Sequence, residues 1–221
     1  MGFKVPRPSW SRVEKAEVIG VPEPLRGRMS DALGREDVRA WGLTEPYRFS
    51  RKLASLFPCL ESVEVRRSWL DRSVEFRASL RKPVAAVSPR GREKEAAWLS
   101  ESGVVFRAPE GAYPEEAALP VVDLSRVPAP ELPRLARFLE AVSREGALPS
   151  PLARFDMRSP EEGWEGVLQD GTRLLWGDLS WTEDKLKRLK EVAADAGRRF
   201  DSAYAVDLRY FGDGKILVSP L

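Results

Sequence analysis

The chain has 221 residues, 43% of them hydrophobic and 32% charged, which fits one large or two small globular domains with room for a buried core. It holds no histidine and a single cysteine. Those absences exclude a Ser-His-Asp triad, a Cys-His dyad, an ordinary zinc site, a CxxC motif and an internal disulfide. The net charge of +2 is uneven, because residues 1–84 carry 17 Lys/Arg against 11 Asp/Glu while residues 85–221 carry 19 against 23. The asymmetry suggests two units, the first suited to an anionic surface or an acidic partner, although charge of this size also serves simply to keep a domain in solution. No apolar run approaches the ~20 residues needed to span a bilayer, and no signal-peptide core follows Met1.

In chain order, residues 13–20 (VEKAEVIG) read as a short strand closed by Gly20. Leu25, Met29, Ala32 and Leu33 then recur at helical spacing, with Gly34 as the stop. A second helix starts at TEPY, where Thr44 is placed to cap and Pro46 falls in the first turn, and its expected inner face is Tyr47, Ser50, Leu53, Ala54 and Phe57. Two alternating strands follow, one with Val63, Val65, Arg67 and Trp69 on a face, the other with Val74, Phe76, Ala78 and Leu80, joined by a turn at Leu70–Arg72. Cys59 ends the apolar helix pattern after Pro58 and reads as core filler, since no imidazole base exists to activate it.

The pattern changes at Pro83. AAWLSESGVVFRAP reads as a hairpin about Ser102–Gly103, and the Pro/Glu-rich GAYPEEAALPVV as an exposed loop. A helix is expected over 130–145, with Leu132, Leu135, Phe138, Leu139 and Val142 inward. EGVLQDGTRLLWG is a hairpin turning at Asp170–Gly171, a strong two-residue turn signal. Thr182 is placed to cap a last helix, with Leu186, Leu189 and Ala193 inward and Lys185, Lys187, Arg188 and Lys190 largely outward. The chain closes on a strand in which Tyr204, Val206, Leu208 and Tyr210 alternate with polar positions. A glycine turn at Gly212–Gly214 and a final apolar run over Lys215–Val218 follow, with Pro220 as the stop.

Little of this carries chemistry. Acidic pairs such as Glu115–Glu116 and Glu161–Glu162 sit in loop-like sequence, and a glycosidase pair is defined by separation in space rather than in sequence. FGDGK lacks the GxxxxGK[ST] spacing and the following helix of a phosphate loop. The basic run RKLASLFPCLESVEVRR interleaves with core positions and forms no dedicated nucleic-acid stripe. Tryptophans 69, 98, 164, 176 and 181 lie in or beside strands, where large rings pack cores.

The order of elements and several phrases resemble the extracytoplasmic region of the bacterial cell-division protein family FtsQ/DivIB. VEKAEVIGVPEPLRGRMSDAL is similar to that family's opening strand and first helix, and KLASLFPCLESVEVRRSWLDRSVEFRASLRKPVAAV to its helix, proline and paired strands running into K-P-V-A. WLSESGVVF resembles its D-x-x-G-x-V-F and ALPVVD the L-P after it. DGTRLLWG, EDKLKRLKEV and VDLRYFGDGKILV resemble its tail. Two positions depart: Leu80 stands where an acidic residue is common, and acidic Glu161 and Glu162 lie near a usually basic position.

The resemblance implies an α+β fold: a juxtamembrane segment over 1–12, a β-α-α-β-β POTRA domain over 13–84, and an FtsQ-type mixed β-sheet domain with flanking helices over 85–221. It implies a non-enzymatic scaffold, with no catalytic, cofactor or metal residues and no nucleic-acid partner. The region would lie outside the plasma membrane at the septum, tied to it by an anchor absent from this chain. The implied partners are FtsB/DivIC- and FtsL-type proteins, with other division proteins possible at the POTRA domain. A terminal strand left as a sheet edge can accept a partner's strand, so the expected contact residues are Arg209, Tyr210, Gly214, Lys215, Ile216 and Leu217. Two other classes compete: a POTRA-type chaperone or secretion module, which normally repeats the unit, and a small carboxylate-based hydrolase.

Overall fold

The computed structural model describes residues 13–88, 97–109, 111–113, 119–144, 146–200 and 203–221. The segment 1–12 and residues 114–118 of the Pro/Glu-rich loop, the Glu115–Glu116 pair among them, therefore lie outside the described residues. The chain is α+β and forms two compact units, the first running to Arg81 and rejoined by the stretch from Arg107 to Tyr113, the second holding the rest.

The first unit is built from β1 (Lys15–Ile19), α1 (Glu23–Gly34), α2 (Glu45–Leu56), β2 (Leu60–Ser68) and β3 (Ser73–Leu80). β3 lies in the middle of its sheet, parallel to β1 and antiparallel to β2, with Val65 opposite Phe76. α1 packs on β1 and α2 on β2, with Leu25, Met29 and Leu33 of the first and Phe49 and Leu53 of the second buried. The inner face of α2 is Pro46, Phe49, Ser50 and Leu53, while Tyr47 and Ala54 face solvent. This corrects the phase expected from sequence. The cause lies outside the helix: Phe49 is drawn into an aromatic cluster with Trp41 (5.4 Å) and Phe76 (5.2 Å), worth about 1 kcal/mol per pair beyond area burial. Nor does Thr44 cap. Its side chain makes no cap bond, and the Glu45 carboxylate instead accepts the Gly42 N–H at 2.8 Å.

Cys59 is fully buried, and burial pushes its thiol above the ordinary range, as expected for core filler. Tyr113, from the rejoining stretch, donates its hydroxyl to the Arg81 carbonyl at 2.8 Å, and burial drives its phenol well above the usual tyrosine range.

The second unit is a nine-stranded mixed sheet. Its strands are β4 (Pro83–Val87), β5 (Ala97–Ser100), β6 (Val105–Arg107), β7 (Val121–Asp123), β8 (Leu152–Ser159), β9 (Gly163–Leu168), β10 (Arg173–Gly177), β11 (Tyr204–Asp207) and β12 (Leu217–Pro220), in the order β12-β11-β10-β9-β8-β7-β4-β5-β6. The hairpins about Ser102–Gly103 and Asp170–Gly171 form where the turn residues place them. β8 has no clean alternation in sequence, because it is irregular in register between Leu152 and Arg154 and again between Met157 and Ser159, and each shift resets the period.

One face of the sheet takes α3 (Leu132–Ser143) and α4 (Thr182–Arg199). Phe138 stacks on Phe155 at 4.3 Å and meets Trp176 edge-on at 4.9 Å, and Leu186 and Leu189 join the same core. The other face carries an ionic lattice in which Arg154 pairs with Asp156 and both Arg158 and Arg173 pair with Glu165. α4 connects the parallel strands β10 and β11. Among the described residues no helix is long and apolar enough to cross a membrane.

Candidate interaction edge

β11 stops at Asp207 rather than continuing to Tyr210. The Asp207 carboxylate turns back to accept the Arg209 N–H at 3.0 Å, a local turn that competes with the ladder. Arg209 then clamps the same carboxylate with Nε at 2.9 Å and Nη2 at 2.6 Å. Burial would raise the Asp207 carboxyl, but the hydrogen bonds and charge of Arg209 outweigh it and hold the group below the usual carboxylate range. Tyr210 is 45% exposed, with the Arg209 guanidinium 5.8 Å from its ring centroid. A 3-10 turn over Phe211–Asp213 ends at Gly214 with φ +72°, a conformation that glycine adopts without strain.

The last strand is Leu217–Pro220, starting two residues later than the sequence suggests and including Pro220 rather than stopping before it. Its register against β11 explains why. Leu217 faces Asp207, Val218 faces Val206, Ser219 faces Ala205 and Pro220 faces Tyr204. Beyond the strand, the Leu221 N–H reaches the Ala203 carbonyl at 3.2 Å. Pairs exchanging hydrogen bonds alternate with pairs that do not, so Ser219 and Leu217 point their N–H and C=O groups at β11. Val218 and Pro220 point theirs away. Proline is tolerated in β12 because it sits where no ladder N–H is needed.

β12 is the outermost strand of its sheet. Of the expected contact residues, Leu217 alone lies in it, with 53% of its surface exposed. Arg209, Tyr210, Gly214 and Lys215 belong to the turn before it, and Ile216, half-buried, packs against the core. Val218, whose backbone faces outward, was not singled out from sequence. Only the register reveals it.

Beneath this turn the backbones approach closely. Gly177 has φ +75°, and a Cβ on it would lie 3.2 Å from Arg209 Cα; a Cβ on Gly163, also at φ +75°, would lie 2.8 Å from Gly177 Cα. The carbonyls on either side of Gly177 are held by Lys185, whose Nζ donates to Trp176 O at 2.8 Å and to Asp178 O at 3.0 Å. Lys185 is buried, contrary to the outward position expected for it, and burial pulls its ammonium below the ordinary lysine range, partly opposed by Asp178. Thr182 likewise makes no cap; its hydroxyl donates to Leu179 O at 2.9 Å.

A cleft of about 730 Å³ opens beside α3, floored by Phe138, Met157 and Trp164 and rimmed by Arg134, Asp178 and Glu183. Of the hydroxyls in its lining, that of Thr182 is spent on Leu179 O. Among the described residues no group of three His, Cys, Asp or Glu side chains is placed to hold a metal ion.

The family model for the C-terminal part of cell division protein FtsQ/DivIB matches residues 90–209, just over half of the chain, so β12 lies outside the matched span, after the turn that follows it. A search of curated proteins finds no match. The chain belongs to the FtsQ/DivIB family of cell-division proteins.

Proposed function

We propose that this chain is a non-enzymatic divisome scaffold that recruits partner proteins by strand addition at β12. FtsQ/DivIB is a family of membrane-anchored division proteins, and we place this region on the outer side of the plasma membrane at the septum, with the first unit as its POTRA-type domain. The partners are FtsB/DivIC- and FtsL-type proteins, whose binding helps couple septum assembly to wall synthesis.

One observation carries this reading: β12 is an outermost strand whose Val218 N–H and C=O are directed away from β11. Among the edge strands, β1, β2 and β6 each contain charged residues, a usual device against pairing, whereas β12 contains none. Main-chain bonds of about 1 kcal/mol each supply modest affinity. Choice of partner falls to side chains around the strand: Leu217 on it, Ile216, Lys215 and Gly214 before it, and the Arg209–Tyr210 pair at the rim.

The experiment is titration of the chain with a periplasmic segment of an FtsB- or DivIC-type protein, beside a form truncated after Gly214. The truncated form should keep its fold and lose binding. Equal affinity in a folded truncated protein would sink the proposal.

A further inference from the structure

The first unit carries an apolar cluster that strand addition at β12 does not use. At the turn between β2 and β3, Leu70 is 94% exposed and Trp69 48% exposed. The Arg67 guanidinium lies 4.1 Å from the Trp69 ring centroid and donates to Gly42 O at 2.8 Å. Leu43, next to Gly42, is exposed, and so is Tyr47, which is near enough to Arg67 for the two to interact electrostatically. Trp69 thus covers the Arg67 guanidinium and Tyr47 lies in its reach, while Leu43 and Leu70 are exposed neighbours in sequence; Arg48 is also exposed, and Arg66 pairs with Glu64. The carboxylates at this end are engaged: Glu14 with Arg72, Asp71 with the Ser68 hydroxyl and Glu45 with the Gly42 N–H.

We propose that the apex of the β2–β3 hairpin, with Leu70 and Trp69 at its tip and Arg67 behind them, rests on the surface of an anionic lipid bilayer. Tryptophan, tyrosine and arginine around an aliphatic tip form the composition of a membrane interface, where amphipathic rings and guanidinium stems bridge acyl chains and headgroups. The excess positive charge of residues 1–84 has the matching sign. The apex is convex. A fluid bilayer needs no complementary shape, whereas a protein partner would need a pocket to take Leu70.

Position agrees with composition. The Glu14 N–H donates to Arg72 O at 2.7 Å, and Lys15 pairs with Ser73, so the chain enters β1 at the hairpin apex. Given a membrane anchor on that side, which rests on the reading above, the apex is the end that faces the lipid.

The test is co-sedimentation of the full chain with vesicles of phosphatidylglycerol and phosphatidylethanolamine, against pure phosphatidylcholine, at low and physiological salt. Binding should favour the anionic vesicles and weaken with salt. Leu70→Glu should lower it by about tenfold or more without moving Tm, and Leu70→Trp should preserve it. Failure to bind anionic vesicles, or binding that Leu70→Glu leaves unchanged, overturns the proposal. A Leu70→Glu defect in capturing a division-protein segment, with no vesicle binding by the parent, assigns the tip to a protein instead and also overturns it. Val218→Pro should keep vesicle binding, so failure of the β12 reading is distinguishable from failure of this one.

Discussion

β2 and β12 are both outer strands, yet β2 runs nine residues with Glu61, Glu64, Arg66 and Arg67 along it, while β12 has four residues and no charge. β2 also has a register shift between Leu60 and Ser62. Charges and irregular register are the devices by which proteins keep edges from pairing with other chains. The long edge is guarded. The short edge has one guard, Pro220, and Val218 beside it presents an intact N–H. Length therefore does not decide which edge recruits; the chemistry along it does.

The largest effect expected from breaking this contrast comes from two prolines one residue apart. Val218→Pro removes the outward N–H and should weaken partner binding about a hundredfold or more, since it also removes a strand contact at the centre of a short interface. Its Tm should fall only modestly, by the loss of the half-buried Val218 side chain that packs against the core. Ser219→Pro removes a bond directed at β11 and should instead lower stability by about 1–3 kcal/mol. Calorimetric titration and thermal melting of both variants separate the roles. If Val218→Pro binds normally, the outward face of β12 is not the docking edge.

Next come the supports beneath the turn. Gly163→Ala puts a Cβ against the Gly177 backbone at φ +75° and should cost more than about 2 kcal/mol, read by denaturant unfolding. An unchanged midpoint would mean that the backbones can separate freely. Lys185→Met leaves the Trp176 and Asp178 carbonyls without their donor and should cost about 1–3 kcal/mol.

The sign of the pH effect at Lys185 is fixed by its lowered pKa. The unfolded chain holds this proton up to about the ordinary value of 10.5, and the folded chain releases it earlier. The unfolded state therefore binds more protons in that window, and stability rises with pH there. The advantage of the native protein over Lys185→Met should accordingly grow as pH climbs toward 10.5. A constant difference across that range would remove the buried-ammonium account.

These supports also show what the sequence reveals and what it conceals. The β2–β3 and β9–β10 hairpins are legible because their information is local: alternation on each strand and turn residues between. The phase of α2 is not, since Phe49 is pulled inward by Trp41 and Phe76, neither of which belongs to the helix. Lys185 misleads for the same reason. A lysine on an amphipathic helix reads as solvated until Trp176 and Asp178 bring their carbonyls to it from the preceding strand and turn. For the candidate edge, Tyr210 and Ile216 follow the strand alternation that the Asp207–Arg209 turn interrupts, and the outward N–H of Val218 depends on register alone.

The smallest effects test the role of charge itself. Leu217 is 53% exposed on the face of the sheet that carries Asp207, and Arg209 already clamps that carboxylate. Leu217→Lys should therefore change stability by less than about 0.5 kcal/mol. It gives β12 the guard that β2 has, and partner affinity should fall about five- to tenfold. The reciprocal change, Glu64→Thr with Arg66→Thr, strips two charges from β2 at positions with exposed side chains. Its expected consequence is concentration-dependent self-association in light scattering, with the monomer's melting curve preserved. If Leu217→Lys binds its partner as tightly as the parent, and the β2 double variant stays monomeric at high concentration, charge is not what distinguishes the two edges. Strand length and the Pro220 stop would then have to account for the difference.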